Sequence, residues 1–227
     1  MLILALDTSS PWTSCAVVDS DLGVIAESLH APPSKAGEIL PGALVGLCGG
    51  DLSRVGALAV GIGPGSFTGL RVGLAAMKTI AYARELPLAG VSSLRALAHA
   101  AQGAGLVVPT IEARRGELYA SAIDGGTTVV AETVMPAKSL AAFVENLARP
   151  AKVLGPGARA NLASLGGLLV LDQPVAPLAR SVAQLCAARL RGARYDRDAV
   201  FALGPEYLTA PAMEVALAEG RVGGLPR

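Results

Sequence analysis

The residues best placed to do chemistry follow directly after the first predicted strand. The apolar run LILALD ends at Asp7, which begins the tetrad DTSS. A carboxylate at the end of a strand can hold a magnesium–phosphate group, and Thr8 and Ser9 would add hydroxyl groups and backbone N–H donors. Asp7, Thr8 and Ser9 are therefore the candidates in this chain for contact with a nucleotide cofactor.

A second candidate is the glycine-rich segment GIGPGSFTGLRVG, residues 61–73, which follows the apolar run ALAV. A P-loop would have a lysine and then a serine or threonine after its last glycine, but Leu70 and Arg71 stand there. Phe67 and Thr68 break the dinucleotide-binding pattern GxGxxG. The segment therefore predicts a tight turn from a strand into a helix. That turn either only redirects the chain or presents free backbone N–H groups to an anion.

Small residues recur along one face of the helix predicted at about residues 67–84. Glycine inside a helix costs about 1 kcal/mol relative to alanine, so repeated glycine on one face indicates that another element approaches closely. Either both faces of this helix pack in the chain's own core, or the small face meets the helix of a partner. Under the second alternative, the apolar stripe of the preceding predicted helix, Ile39 to Leu47, joins the small face to form a partner interface. Its residues are Ile39, Ala43, Leu47, Gly69, Gly73, Ala76, Met77 and Ile80.

The other chemistry-bearing side chains form no recognisable constellation. His30 and His99 are far apart and have no carboxylate or cysteine at a ligand spacing, and the cysteines form no CxxC pair. The segment IEARRGE places Glu112 after a strand, where it could be a catalytic carboxylate, whereas Arg114 and Arg115 beside it fit salt bridges or a contact surface. We therefore predict no catalytic residue and no metal site in this chain.

The elements that must position these residues follow the order β-β-β-α-β-α in the first third of the chain. The second half repeats this outline, and AVGIGPGS and KVLGPGAR form a short internal repeat, which indicates two related α/β lobes. The predicted N-terminal lobe, with the partner-binding helices, is residues 1–103. The C-terminal lobe is residues 104–220, whose last part could pack back on the first lobe, and residues 221–227 are expected to be a frayed tail.

Composition limits the classes of function. The 227-residue chain has a net charge of +1 and 4% aromatic residues, which is not the basic profile of a stand-alone nucleic-acid binder. Because no aromatic stacking surface is visible in the sequence, we expect the chain alone to bind tRNA weakly. The apolar segments are interrupted by charge, glycine and proline before they reach the length of a signal peptide or a membrane helix. We therefore predict a cytoplasmic protein without a membrane partner.

Four segments together resemble the TsaB family, also called YeaZ: ILALDTSS, GIGPGSFTGLRVGLAAMKTIAYARELPLAGVSSL, IEARRGELY and PEYL. The resemblance spans nearly the whole chain and is most specific in the second segment. It implies an α/β fold of the actin/Hsp70/sugar-kinase-like (ASKHA) type, with two ribonuclease-H-like lobes.

The same resemblance implies a non-catalytic scaffold and dimerisation subunit of the tRNA threonylcarbamoyl transferase complex. Such a subunit supports a TsaD-like catalytic partner, which modifies the adenosine 3′ of the anticodon in tRNAs that read codons starting with A. A TsaE-like ATPase is a further implied partner, and tRNA is reached only through the complex. The implied cofactors, ATP and a metal, belong to the partner subunits. In isolation, two copies of the chain could pair as a homodimer.

Some positions depart from what the resemblance leads one to expect. The second phosphate loop of ASKHA proteins is a glycine-rich acidic turn, but this chain has EARRGE, and SKAGEILP lacks the histidine pair that binds metal in TsaD. Lys35 stands where relatives often carry histidine, and Glu112 where they carry aspartate, so the roles of both side chains are open. The alternative function is an independent actin-like ATPase or small-molecule kinase. If the cleft is vestigial, Asp7→Ala is expected to leave folding nearly intact.

Overall fold

Two mixed β-sheets form the framework of the chain. The computed structural model describes residues 1–32, 36–101, 103, 105–114 and 116–208. The first sheet has the strand order β3-β2-β1-β4-β5 and the second has the order β8-β7-β6-β9. The strands are β1 (Leu2–Asp7), β2 (Thr13–Asp19), β3 (Gly23–His30), β4 (Val55–Gly61), β5 (Leu88–Val91), β6 (Leu106–Glu112), β7 (Glu117–Asp124), β8 (Thr127–Pro136) and β9 (Lys152–Leu154).

Helices cover both sheets. Among the described residues they are α1 (Ala36–Leu47), α2 (Phe67–Arg84), α3 (Ser93–Ala100), α4 (Leu140–Glu145), α5 (Pro156–Ala160), α6 (Ala179–Leu190) and α7 (Arg197–Ala202). Short 3-10 turns precede α4 at Ala137–Ser139 and follow α5 at Leu162–Ser164. None of the helices within the described ranges is both long enough and apolar enough to cross a membrane.

The first sheet is covered on both faces. Strands β1, β2 and β4 are buried along almost their whole length, as near-continuous apolar strands between two layers must be. Helices α1 and α2 pack on one face around Leu6, Leu58 and Met77. Helix α6 packs on the other face around Ile3 and Val182. An element from late in the chain therefore closes the core of the first lobe.

The internal repeat predicted from the Gly-Pro-Gly segments is confirmed in the topology. Each lobe has three antiparallel strands, a helix, a strand parallel to the first, and a Gly-Pro-Gly turn into a further helix. In the second lobe, Val153 of β9 accepts a hydrogen bond from Leu171 N–H at 2.8 Å and donates one to the Leu169 carbonyl at 2.9 Å. This short pairing occupies the position that β5 has in the first sheet.

Helix α3 lies between the two sheets. Leu94 and Leu97 pack in the core of the second lobe, while Ala96 packs in the core of the first. The predicted boundary between residues 103 and 104 falls in the connection from α3 to β6. Helix α6, which the sequence patterns did not predict, contacts β1, β2, β4 and β5. Residues 209–227, including the predicted frayed tail, lie outside the described residues.

Candidate functional site

Asp7 is enclosed in the core of the chain. It ends β1 and has no solvent-exposed surface. Its Oδ1 accepts hydrogen bonds from the Ser9 N–H at 2.9 Å and the Ser9 hydroxyl at 2.6 Å, and its Oδ2 accepts one from the Ser93 hydroxyl at 2.7 Å. Burial raises the pKa of the Asp7 carboxyl, and the hydrogen bonds from Ser9 and Ser93 lower it by less. The carboxyl group therefore ties the end of β1 to the start of α3.

The turn that follows Asp7 is held by the glycine-rich segment. The Thr8 hydroxyl donates to the Gly69 carbonyl at 2.8 Å, and the Ser66 N–H donates to the Ser9 carbonyl at 2.6 Å. Thr8 and Ser9 are each only 1% exposed. The hydroxyl and carbonyl groups that could have met a ligand are thus bonded within the chain.

The glycines at the start of the 61–73 segment leave no room for a side chain. A Cβ atom on Gly61 would lie 1.8 Å from Asp7 Oδ2, and a Cβ atom on Gly65 would lie 2.1 Å from the Ser9 carbonyl oxygen. Optimal separations between non-bonded heavy atoms are about 3.5–4.0 Å. Glycine is therefore required at both positions because the segment wraps directly around the end of β1.

The two glycines inside α2 meet the same requirement. A Cβ atom on Gly69 would lie 2.1 Å from the Thr8 carbonyl oxygen, and one on Gly73 would lie 2.3 Å from Thr8 Oγ1. The element that approaches this face of α2 is therefore the chain's own Thr8. Of the two alternatives drawn from the sequence, the structure supports packing of the glycine face inside the chain.

Three backbone donors of the glycine-rich segment are bonded within the chain. The Gly63 N–H donates to the Ser93 hydroxyl at 3.3 Å, and the Gly69 N–H donates to the Ser66 hydroxyl at 3.2 Å, which caps α2. The Ser66 N–H is bonded to Ser9, as described above. The segment therefore serves as a packing surface for the DTSS turn.

The structure corrects part of the predicted partner interface. Gly73 and Met77 are buried in the first lobe, so the prediction was wrong for these two residues. Gly69 packs on Thr8 but is only half-buried, so its place in the interface stays a prediction. The spacing of small residues identifies a crowded helix face but does not say which element crowds it. The other predicted interface residues, which are half-buried where α1 and α2 pack on the core, are Ile39, Ala43, Leu47, Ala76 and Ile80.

The second lobe repeats this arrangement without a carboxylate. A Cβ atom on Gly155 would lie 2.4 Å from the Thr110 carbonyl oxygen. The Thr110 hydroxyl accepts from the Ala158 N–H at 2.8 Å and donates to the Leu154 carbonyl at 2.8 Å. A buried hydroxyl thus bonds an N–H near the start of α5, where a phosphate loop would present free donors.

The other candidates lie apart from the DTSS turn. Glu112 is exposed at the end of β6, and Lys35 and Arg115 lie outside the described residues. His99 is half-buried, and burial lowers the pKa of its imidazole. Burial raises the pKa of the Cys15 thiol to about 12. Within the described ranges, no three His, Cys, Asp or Glu side chains come together in a geometry that could hold a metal ion.

Ser93 is the site residue that sequence reasoning missed. From the sequence, either Ser92 or Ser93 can cap the helix that follows β5. Ser92 is the cap, since its hydroxyl accepts from the Arg95 N–H at 3.2 Å. Ser93 is fully buried and bonds Asp7 instead. The available signal was the second serine of the pair, which a helix cap does not need.

Sequence comparison matches the chain to one family model and to several curated proteins. The family model described as "TsaD: tRNA N6-adenosine threonylcarbamoyltransferase" matches residues 43–188. The TsaB protein of Escherichia coli, named for tRNA threonylcarbamoyladenosine biosynthesis, is 40% identical over 124 residues, which are 52% of this chain and 53% of that protein. TsaB of Bacillus subtilis is 36% identical over 125 residues, 52% of this chain and 53% of that protein. The matched region thus spans about half the length of these curated relatives.

Structural comparison extends the likeness to nearly the whole chain. YeaZ from Pseudomonas aeruginosa has a TM-score of 0.73 and 29% identity, covering 91% of this chain and 99% of that one. The activator of 2-hydroxyisocaproyl-CoA dehydratase from Clostridium difficile, solved with ADPNP, has a TM-score of 0.52 at 11% identity, covering 85% of this chain and 96% of that one, and shows the fold alone. These neighbours and the two-sheet topology confirm an ASKHA-type fold with two lobes. The chain therefore belongs to the family of the TsaD model and, within it, to the TsaB (YeaZ) proteins.

Proposed function

We propose that the chain is a non-catalytic scaffold subunit in tRNA threonylcarbamoyladenosine synthesis. In this role it supports a TsaD-like catalytic subunit in the cytoplasm, and that subunit modifies the adenosine 3′ of the anticodon in tRNAs reading codons that start with A. The names of its relatives support the pathway. The observation that carries the scaffold role is the enclosure of Asp7.

The DTSS turn does not fit a magnesium–nucleotide group. Magnesium is held by carboxylate and phosphate oxygens together with several waters, so a ligand carboxylate must face open space. Both oxygens of Asp7 accept hydrogen bonds from Ser9 and Ser93, and Gly61 lies directly against Oδ2. This supports the proposal that ATP and the metal belong to the partners, a TsaD-like subunit and a TsaE-like ATPase.

The proposed contact with the catalytic subunit uses the outer face of α1 and α2. Seven exposed residues of these two helices have small or short side chains, and the Thr79 hydroxyl bonds the Ala75 carbonyl of its own helix at 2.8 Å. Because low side chains allow helix axes to approach closely, this face suits a pair of helices from a partner. A second copy of the chain could pair on the same face, since a two-fold contact uses one patch twice. The exposed residues are Pro41, Gly42, Val45, Gly46, Thr68, Ala75 and Thr79.

Val45→Glu is expected to weaken binding of the TsaD-like subunit at least about tenfold, a loss of about 1.4 kcal/mol. Val45 is 40% exposed, so the charge is tolerated in the free chain but is buried unpaired in the complex. A titration by calorimetry, with melting curves of the free chain, measures both effects. Val129→Glu is the matched control, because Val129 is 50% exposed on β8 in the other lobe. Equal affinity of both variants would contradict this interface.

Reconstitution tests the proposed function as a whole. The full chain, the TsaD-like and TsaE-like proteins of the same organism, threonylcarbamoyl-adenylate and an unmodified tRNA are combined, and each protein is omitted in turn. We expect modified nucleoside only when both this chain and the TsaD-like subunit are present. Modification that is unchanged without this chain would contradict a supporting role.

Nucleotide binding separates the proposal from an independent ATPase or kinase. The isolated chain is titrated with labelled ATP and magnesium, and hydrolysis is followed over the same range. We expect neither micromolar affinity nor turnover, because the Asp7 carboxylate is closed off. Micromolar affinity with turnover would instead favour the enzyme alternative.

A further inference from the structure

Four aromatic side chains that are far apart in the sequence meet beside α2 and α7. Phe67 and Tyr82 belong to α2, Phe201 belongs to α7, and Tyr207 follows it. Tyr82 is 54% exposed, Phe201 53% and Tyr207 39%. These four residues are half of the chain's aromatic residues. The expectation that the chain has no aromatic stacking surface was therefore wrong, because α7 returns to α2 and brings the rings together.

Cations are interleaved with these rings. The Arg71 guanidinium lies 3.9 Å from the centroid of the Phe67 ring, and its Nε donates to the Tyr207 hydroxyl at 3.2 Å. The Phe67 and Tyr207 ring centroids are 5.1 Å apart. Lys78 Nζ donates to the Phe201 carbonyl at 2.8 Å. This end of α2 thus holds its rings and positive charges in one fixed arrangement.

The second ring pair carries the third cation. Tyr82 and Phe201 meet edge to face with centroids 5.9 Å apart, and the Arg197 guanidinium lies about 6 Å from both centroids. We call the seven residues Phe67, Arg71, Lys78, Tyr82, Arg197, Phe201 and Tyr207 the α2–α7 surface. From Arg71 to Tyr82 it follows α2 for about three turns.

The positive charges of the α2–α7 surface are not neutralised within the described part of the chain. No carboxylate there pairs with any of its three cations, whereas Arg149, Arg159, Arg180 and Arg191 each pair with one. Among the described residues, the three cations of this surface are therefore left without a carboxylate partner and can meet an external anion.

A groove of about 370 Å³ runs between α2 and the residues that follow α7, and one ring of each pair lines it. It is lined by Arg71, Lys78, Phe201 and Tyr207, together with apolar residues of α2 and residues 202–205. Glu206 lies beside this stretch but lines a different cavity with Glu132. The groove thus offers positive charge and ring surface together over its length.

We propose that the α2–α7 surface binds an RNA strand, with bases stacked on the exposed rings and phosphates held by the three cations. Aromatic rings combined with a positive groove are the usual means of holding single-stranded nucleic acid. The inference rests on the proposed function, in which tRNA is the substrate. A protein partner fits the neighbouring small-residue face of α1 and α2 better, so RNA held on the flank of α2 would lie beside the catalytic subunit.

Only three phosphates can be paired, so binding by the chain alone stays weak. For single strands, each phosphate contact contributes about 0.7 to the slope of log affinity against log salt, and three contacts correspond to a slope of about −2. The earlier expectation of weak tRNA binding is retained on this ground. The surface would guide RNA within the complex.

The test is a fluorescence anisotropy titration of the full chain against a labelled anticodon stem-loop RNA at several salt concentrations. Lys78→Gln with Arg197→Gln is expected to weaken binding about tenfold and to make the slope shallower by about 1.4. Tyr82→Ala is expected to weaken binding about tenfold through lost stacking and to leave the slope unchanged. Arg149→Gln is the control, since it removes one charge from an ion pair with Asp124 in the other lobe.

Each outcome decides the proposal. No measurable binding by the wild-type chain at about 50 mM salt, or equal affinity of all variants, would overturn it. Variants that keep RNA affinity but lose the TsaD-like subunit would assign the surface to a protein partner and also overturn it. If the double variant has a clearly lower melting temperature than the wild type, Arg197→Gln alone replaces it in the titration. The titration needs no partner, so failed reconstitution would remove the proposed function without changing the titration result.

Discussion

A chain in which Gly73 is replaced by leucine is expected to lose about 3 kcal/mol of stability, which lowers its melting temperature by about 6–12 °C. A Cβ atom alone would lie 2.3 Å from Thr8 Oγ1 and 3.4 Å from Leu6 Cδ2. Thr8 cannot easily yield, since it is 1% exposed and its hydroxyl bonds the Gly69 carbonyl. The better helix propensity of leucine, worth about 1 kcal/mol, does not offset this overlap. Thermal melting followed by circular dichroism measures the loss.

Ala75→Leu is the matched control for this substitution. Ala75 lies on the exposed face of the same helix, so the larger side chain meets solvent and the melting temperature should stay within about 2 °C of the wild type, as surface substitutions usually do. A chain with Gly73→Leu that melts like the wild type but no longer binds the TsaD-like subunit would show that the glycine face is external.

A double-mutant cycle tests whether Thr8 is the residue that excludes a side chain at Gly73. Thr8→Ala removes the Oγ1 atom that a Cβ on Gly73 would overlap. Gly73→Ala should therefore cost less in the Thr8→Ala background than in the wild type, by about 1 kcal/mol of coupling. Denaturant melts of the four chains give this coupling. Strict additivity of the two substitutions would mean that some other contact excludes a side chain at Gly73.

Asp7→Ala is expected to cost about 3 kcal/mol, because buried donors left without an acceptor each cost about 1–3 kcal/mol. The substitution strands the Ser9 N–H and the Ser9 and Ser93 hydroxyls, which all bond the carboxyl group. The hydrogen bonds of Asp7 thus predict a larger loss than the nearly intact folding that the sequence led us to expect for a vestigial cleft. Urea unfolding measures the loss, and Asp172→Ala, with a fully exposed side chain, is the control.

The pH dependence of the stability of the Asp7→Asn variant tests whether burial raises the pKa of the Asp7 carboxyl. Burial raises the pKa of Asp7 in the folded chain, so the folded state holds this proton more tightly than the unfolded state. The stabilisation is fully present below the unfolded pKa of about 3.9 and is lost as pH rises through the folded pKa. Asparagine does not titrate, so the stability of Asp7→Asn relative to the wild type should improve from about pH 4 to pH 7.

Paired urea melts at several pH values measure this difference. A relative stability that instead worsens with rising pH would mean that the folded pKa is lowered. Partner-supported tRNA modification should stay within a few-fold of wild type for folded Asp7→Asn, since no step is proposed for this carboxyl. A hundredfold loss of modification by the well-folded variant would contradict the scaffold role.

Local patterns were sufficient for most elements of both lobes. Helix α2 was predicted at about residues 67–84 and is observed at Phe67–Arg84, because its cap Ser66 and its apolar spacing are local features. The hairpin of β7 and β8 likewise follows from two runs of strand residues around Gly125 and Gly126. Helices α6 and α7 were not predicted, and no local pattern shows that α6 covers the first sheet.

The sequence by itself determined the family, the repeated order of elements and the fact that something approaches α2 closely at Gly69 and Gly73. The spacing of these glycines indicates a close approach, because a side chain at either position would keep another element away from α2. Only the tertiary structure decided what approaches. Thr8 fills the glycine face, and Ser93, 86 residues from Asp7, completes the carboxyl's hydrogen bonds. Such partners depend on how separate elements pack, because a buried polar group must be bonded by whatever residue folding brings beside it.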